Sequence, residues 1–255
     1  MKLASIEIVE DRTGRSRCDE GFLKVERLLI RNVYDDGSRS EPYPCDIVSR
    51  PGSDAVVAVL YQIDGEKRVR ALLRESPRAP IYLRHRKSFV HPDPRRYLSI
   101  AEIVAGIVEE TDGAGTPGMQ RRAAIEADEE AGCSIPAESF TLIGGETFAS
   151  PGTSDEKIYY CAAPARIEDA SPPRGDGSVM EEHAELVIYE LGDAIRACRS
   201  GEIPDMKTEL ALMRLADHLG YIPQLDCFAR DLPAPLRDRY ERLGVSGPSG
   251  KTETA

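Results

Sequence analysis

The chain has 255 residues, a hydrophobic fraction of 41% and a formal net charge of −11, enough to bury the core of one large domain or of a domain with a smaller appendage. No stretch approaches the roughly eighteen apolar residues of a membrane span, and the opening MKLASIEIVEDRTGR lacks the apolar run and cleavage site of a signal peptide. The acidic balance repels nucleic-acid backbone, so the expectation is a cytoplasmic protein with neither membrane nor nucleic acid as partner.

Six cysteines, at 18, 45, 133, 161, 198 and 227, are scattered without a CxxC pair, which suits reduced thiols rather than a disulfide framework or a zinc site. Residues 1–52 form a first segment. Its alternating runs ASIEIVE and FLKVERLLIRNVY, followed by the turn DDGS, predict antiparallel strands, and the three prolines of EPYPCDIVSRPGS read as a connection. A second segment, 53–222, opens with DAVVAVLYQI and KRVRALLRES, which predict a hairpin around Asp64-Gly65. Basic residues follow from Arg74 onward: Arg78, Arg84, His85, Arg86 and Lys87. The stretch PIYLRHRKSFVHPDPRRYLS has no period and reads as a loop or insertion.

From Thr116 to Cys133 the sequence TPGMQRRAAIEADEEAGC predicts a helix, with Thr116 as N-cap, Pro117 in the first helical position and Gly132 just past the end. Glu126, Glu129 and Glu130 stand at i, i+3 and i+4 and share a face, where like charges repel. A hard divalent cation, which takes several oxygen ligands, would relieve that crowding. A solvated acidic face fits the same spacing, so spacing alone leaves two readings. Ala124, Ala127 and Ala131 supply a small-residue face for packing on a sheet. SFTLIGGETFAS and EKIYYCAAPARI then predict strands around a Pro-Gly turn, and GDGSVMEEHAELVIYEL a Gly/Ser segment leading to another strand. GDAIRACRSG and DMKTELALMRLADHLGY predict helices, the second with Leu210, Met213 and Leu219 among its apolar positions. The third segment, 223–255, holds one short helix, PAPLRDRYERLG, and a polar Gly/Ser-rich end expected to be disordered.

The set Gly106…Glu126-Ala-Asp-Glu129-Glu130-Ala-Gly132-Cys133 resembles the Nudix box, G-x5-E-x7-R-E-U-x-E-E-x-G-U. SPGTSDEKIYY (150–160) and RSGEIPDMKTELAL (199–212) resemble, in the right order, segments of the ADP-ribose pyrophosphatases within that superfamily. The chain departs from the pattern at three places. Asp112 stands where the box has Glu, residues 113–124 span twelve positions where the pattern allows seven, and Ile125 replaces the Arg that braces the first acid of the box. The excess falls in DGAGTPG, which reads as a longer loop. Arg121 or Arg122 could take over the bracing, and Arg122 lies one turn before Glu126 on the same face.

The resemblance implies an α/β (α+β) fold: a mixed β-sheet sandwiched between helices, preceded by a small N-terminal antiparallel β-sheet that helps build a homodimer. It implies Mg²⁺, with Mn²⁺ as an alternative, held by the Ala105 carbonyl, Glu126, Glu129 and Glu130. It places Arg74 and Arg78 against a small-molecule nucleoside diphosphate substrate. The general base of the family falls at Ala184 in this chain, which leaves Glu182, Glu181 and Glu185 as candidates. The implied reaction is hydrolysis of the diphosphate bond of ADP-ribose or a nucleotide sugar. A Nudix-like module that binds a nucleotide without cleaving it is the alternative.

Overall fold

Alternating side chains at the start of the chain become strands in the computed structural model, which describes residues 3–11, 22–171 and 184–242. Strand β1 (Leu3–Asp11) pairs antiparallel with β2 (Lys24–Tyr34), and β2 pairs antiparallel with β3 (Tyr43–Ser49). The DDGS turn closes as expected, with Gly37 at φ 80° and its amide on the Tyr34 carbonyl at 3.0 Å. Tyr43–Ser49, part of the proline-bearing stretch read as a connection, is instead the edge strand β3 with Pro44 inside it. An edge strand tolerates proline because one row of its backbone donors has no ladder partner to lose.

These strands belong to one of two compact units, Met1–Ala55 together with Thr147–Ile158; the other is Val56–Glu146 with Tyr159–Ala255. Within the first unit the Ser-Pro-Gly turn is tied to β3. The Val48 amide donates to the Thr153 carbonyl at 2.8 Å, Ser49 Oγ to Asp155 at 2.9 Å, and Arg50 pairs with Glu156 at 2.6 Å.

The larger unit is organised by β4 (Ala55–Ile63) and β5 (Val69–Pro77), an antiparallel hairpin as predicted. Its turn is wider than Asp64-Gly65. The left-handed residue is Lys67 at φ 64°, and the Asp64 carboxylate accepts from the amides of Glu66 and Arg68 at 2.9 and 3.0 Å. Two amides satisfied by one aspartate organise the loop without the glycine. Next come a one-turn helix α1 (Ala79–Tyr82), the short strands β6 (Ser99–Glu102) and β7 (Val104–Ile107), and helix α2 (Gly115–Ala131). Strands β8 (Thr141–Leu142), β9 (Thr147–Phe148), β10 (Lys157–Pro164) and β11 (Glu185–Glu190) precede helices α3 (Leu191–Ser200) and α4 (Met206–Leu219). A two-stranded ribbon, β12 (Tyr221–Ile222) with β13 (Cys227–Phe228), and helix α5 (Ala234–Arg242) end the described chain.

The main mixed sheet runs β11-β5-β4-β10-β8, with β6 on β5 and β7 on β4. Residues 56–60 of β4 are all fully buried, so both faces of the strand are covered. On one face Val56, Ala58 and Leu60 share a core with Ala123, Ala127 and Ala131 of α2, while α3 packs against β5. This is the α/β architecture expected: a mixed sheet, five α-helices among the described residues, and a small separate antiparallel sheet. None of the described helices is long and apolar enough to cross a membrane.

Two helix details differ from expectation. Helix α2 opens at Gly115 with no side-chain cap, so Thr116 lies inside the first turn and much of the DGAGTPG stretch lengthens the helix rather than the loop. Arg121 and Arg122 tie this end of the helix down, donating to the Asp112 carbonyl and carboxylate respectively. In α4 the most deeply buried positions are Thr208, Ala211, Leu212, Leu215 and Ala216, while Leu210, Met213 and Leu219 are half-buried. Gly132 ends α2 in the left-handed conformation at φ 60°, as predicted.

Candidate active site

Alanines bring α2 close to the sheet, and the closeness shapes the site. Ala123, Ala127 and Ala131 are fully buried, with Ala124 half-buried beside them. At this separation the Glu126 side chain folds over Gly106 of β7, filling the space a β-carbon would need: one built there lies 1.6 Å from Glu126 Oε1. One turn on, Glu130 Oε2 accepts from the Ala105 amide at 3.2 Å, and Oε1 receives the Arg74 guanidinium from β5. Glu129, between them in sequence, is exposed.

Burial pushes the Glu126 carboxyl up to about 7, and the charges of Glu130 and Glu129 add to the rise, with Arg122 partly offsetting it. The crowding anticipated from the i, i+3, i+4 spacing is therefore present. The mutual repulsion of the glutamates is real and is answered locally by arginine.

Arg122 supplies that answer. The residue is 7% exposed, and its guanidinium closes on Asp112, itself 1% exposed, through Nε at 2.8 Å and Nη2 at 3.0 Å. It also meets Glu126 at 3.4 Å and Glu109 at 3.1 Å. Burial alone would raise the Asp112 carboxyl, but the Arg122 hydrogen bonds and the Glu109 amide outweigh it and hold the carboxyl below its ordinary value. Of the two arginines offered as a brace, Arg122 is the one that reaches Glu126, while Arg121 donates to the Asp112 carbonyl. Ile125 itself carries no charge to contribute.

The other expected residues are distributed as follows. Ala105, Glu126 and Glu130 come together, with Arg74 buried among them at 4% exposure. Arg78 is not with them; its Nε donates to Glu102. Glu185 opens β11 opposite Glu75, while Leu186 pairs with Arg74. The two-residue period therefore puts Glu185 on the sheet face away from Arg74. Glu181 and Glu182 lie outside the described residues.

The donor set fits a hard divalent cation, since carboxylates on one helix face beside a backbone carbonyl are the oxygens such an ion takes. The fit requires movement: among the described residues no three His, Cys, Asp or Glu side chains converge on one point as they stand. Glu126 and Glu130 are turned to Arg122 and Arg74 instead.

Sequence reasoning missed Glu102. It is 7% exposed on β6, directly across the ladder from Arg74, and carries Arg78 on one oxygen and Lys207 of α4 at 3.8 Å from the other. The available signal was a lone carboxylate inside the apolar run SIAEIVAG, because a charge on a buried strand requires partners.

Neither any protein-family model nor any curated protein matches the sequence. The fold does match solved structures. One described as "Crystal structure of ADP compounds hydrolase" superposes with a TM-score of 0.57 at 15% identity, covering 86% of this chain and 96% of that one. At that identity the likeness is one of fold alone.

Proposed function

We propose that the protein is a Nudix-type hydrolase that cleaves, with Mg²⁺, the diphosphate bond of a nucleoside diphosphate linked to a sugar, releasing a nucleoside monophosphate and a sugar phosphate. The observation that carries this reading is the seating of Glu126 over Gly106 beside Glu130 and Ala105, on the fold of a hydrolase of ADP compounds. Glu126, Glu129, Glu130 and the Ala105 carbonyl would hold the metal, with Mn²⁺ as a substitute. The bound ion would neutralise the diphosphate and lower the pKa of the attacking water. Arg122 keeps Glu126 ionisable and oriented. Arg74, whose guanidinium rests on Glu130, would offer the phosphates a bidentate donor. Glu182, with Glu181 as the neighbouring choice, is the proposed base. We further assign the enzyme to the cytoplasm, as a homodimer built through the N-terminal sheet.

Hydrolysis of ADP-ribose and of ADP-, UDP- and GDP-sugars, with and without Mg²⁺, tests the reading. Cleavage that requires the metal and drops at least about a hundredfold in Glu130→Gln is expected. Absence of turnover on every diphosphate, or full activity in Glu130→Gln, would overturn it. The second reading, a module that binds nucleotides without cleaving them, is favoured by the arginine pairing of Glu126 and Glu130. Tight binding with the nucleotide recovered intact would select it.

A further inference from the structure

The Glu102 cluster has more positive charge than its own fold requires. One buried carboxylate carries two cations, Arg78 on Oε2 and Lys207 on Oε1, and their side chains are 40% and 29% exposed. Lys207 stands 3.8 Å from the oxygen, beyond hydrogen-bond reach, so its ammonium is held electrostatically and keeps its donors for another acceptor. The site is next to the glutamates. Arg74 and Glu102 are direct partners in the antiparallel β5–β6 ladder, which puts their side chains on the same face about 5 Å apart at the β-carbon. Arg74 reaches Glu130 and Glu102 reaches Lys207 from that shared face. Two residues beyond Arg74 on the same face of β5, Ser76 is 2% exposed and its hydroxyl has no hydrogen-bond partner among the described residues.

We propose that Lys207 is a substrate-binding cation which, with Arg78, forms an anion subsite beside the glutamates for phosphoryl oxygens of a nucleoside diphosphate, Glu102 being the residue that positions both. The proposal rests on the diphosphate-hydrolase reading and extends it to a residue on α4. A chain with a net charge of −11 repels phosphate at long range; a cation pair organised by a single buried carboxylate reverses the sign locally. Glu102 also spares the ligand the cost of ordering two long side chains, since both are already restrained.

Calorimetry with ADP in EDTA reads the subsite without metal. Lys207→Met is expected to weaken ADP binding about tenfold, the loss of one charge-assisted hydrogen bond, and Lys207→Arg to recover most of it. With Mg²⁺ and the cleaved diphosphate, the Lys207→Met loss should fall on KM, with kcat within about threefold of wild type. Lys207→Gln, which keeps a donor without the charge, serves as the second variant if Lys207→Met does not fold. A role confined to neutralising Glu102 would give a different pattern: Tm lowered by Lys207→Met and restored by adding Glu102→Gln, with ADP affinity constant throughout. That pattern overturns the subsite and leaves the hydrolase reading standing. A wild-type protein that neither binds nor cleaves any nucleoside diphosphate overturns both.

Discussion

The Glu126 carboxylate occupies the space that a side chain on Gly106 would need. A β-carbon at 106 would lie 1.6 Å from Oε1, 1.8 Å from Cδ and 2.5 Å from Cγ. The requirement for glycine at this position therefore comes from a residue twenty positions away on another element.

Gly106→Ala should separate fold from site. The obstructing atoms are the far end of a flexible side chain, so Glu126 can swing aside and the sheet should persist, with a stability loss of about 1–3 kcal/mol at most. Displacing the carboxylate should cost far more in function. Hydrolysis and Mn²⁺ affinity should each fall at least about tenfold while circular dichroism stays native. Unchanged metal affinity would show that Glu126 is not a ligand.

Removing Arg122 should be severe. Arg122→Ala leaves Asp112 charged and buried without its guanidinium, a defect of about 3–5 kcal/mol. The double variant Arg122→Ala/Asp112→Asn should recover part of that loss, because residues in one network are not additive. Urea denaturation of the four proteins in the cycle measures the coupling. Additive effects would mean that the pair contributes nothing as a pair.

The same pair sets an acid limit. The Asp112 carboxyl is held below its ordinary value, so its stabilising contribution is complete above the unfolded-state value of about 3.9 and is lost as pH falls through the lower folded-state value. Wild type should lose stability steeply across that acid range, and Asp112→Asn should show a flatter profile there. Thermal melts at descending pH supply the comparison.

Thr208 is the remaining structural test. Fully buried on α4, it accepts from the Ile103 amide at 2.8 Å and donates to Asp205 at 2.6 Å, joining the break between β6 and β7 to the cap of α4. Thr208→Val should orphan that amide at a cost of about 1–3 kcal/mol, and Thr208→Ser should cost less. Because β7 carries Ala105 and Gly106, Thr208→Val should also reduce activity more than its loss of stability accounts for. Activity that follows the folded fraction alone would confine Thr208 to the fold.

Local regularities were legible without coordinates. The i, i+3, i+4 glutamates, the alanine face and the terminal glycine of α2 are properties of a single helix, and the β4–β5 hairpin follows from two adjacent apolar runs. In each case the determining residues lie within a few positions of one another, where propensity and periodicity act directly. The mixed sheet and the small N-terminal sheet came from the ordered family resemblance, and the fold agrees with it.

Tertiary structure decided what depends on partners distant in sequence. Tyr43–Ser49 is a strand because β2 offers it an edge, despite Pro44 within it. Arg122, one turn before Glu126, braces the acids because the packing of α2 brings that turn over Asp112. Glu102 has its meaning only where β6 lies beside β5 and α4 brings Lys207 to it. Charge pairing in a buried site is settled by which elements come together, and no window along the chain contains that information. The sequence alone determined a helix bearing three crowded carboxylates; packing determined which cations answer them, and left Lys207 beside the site with donors to spare.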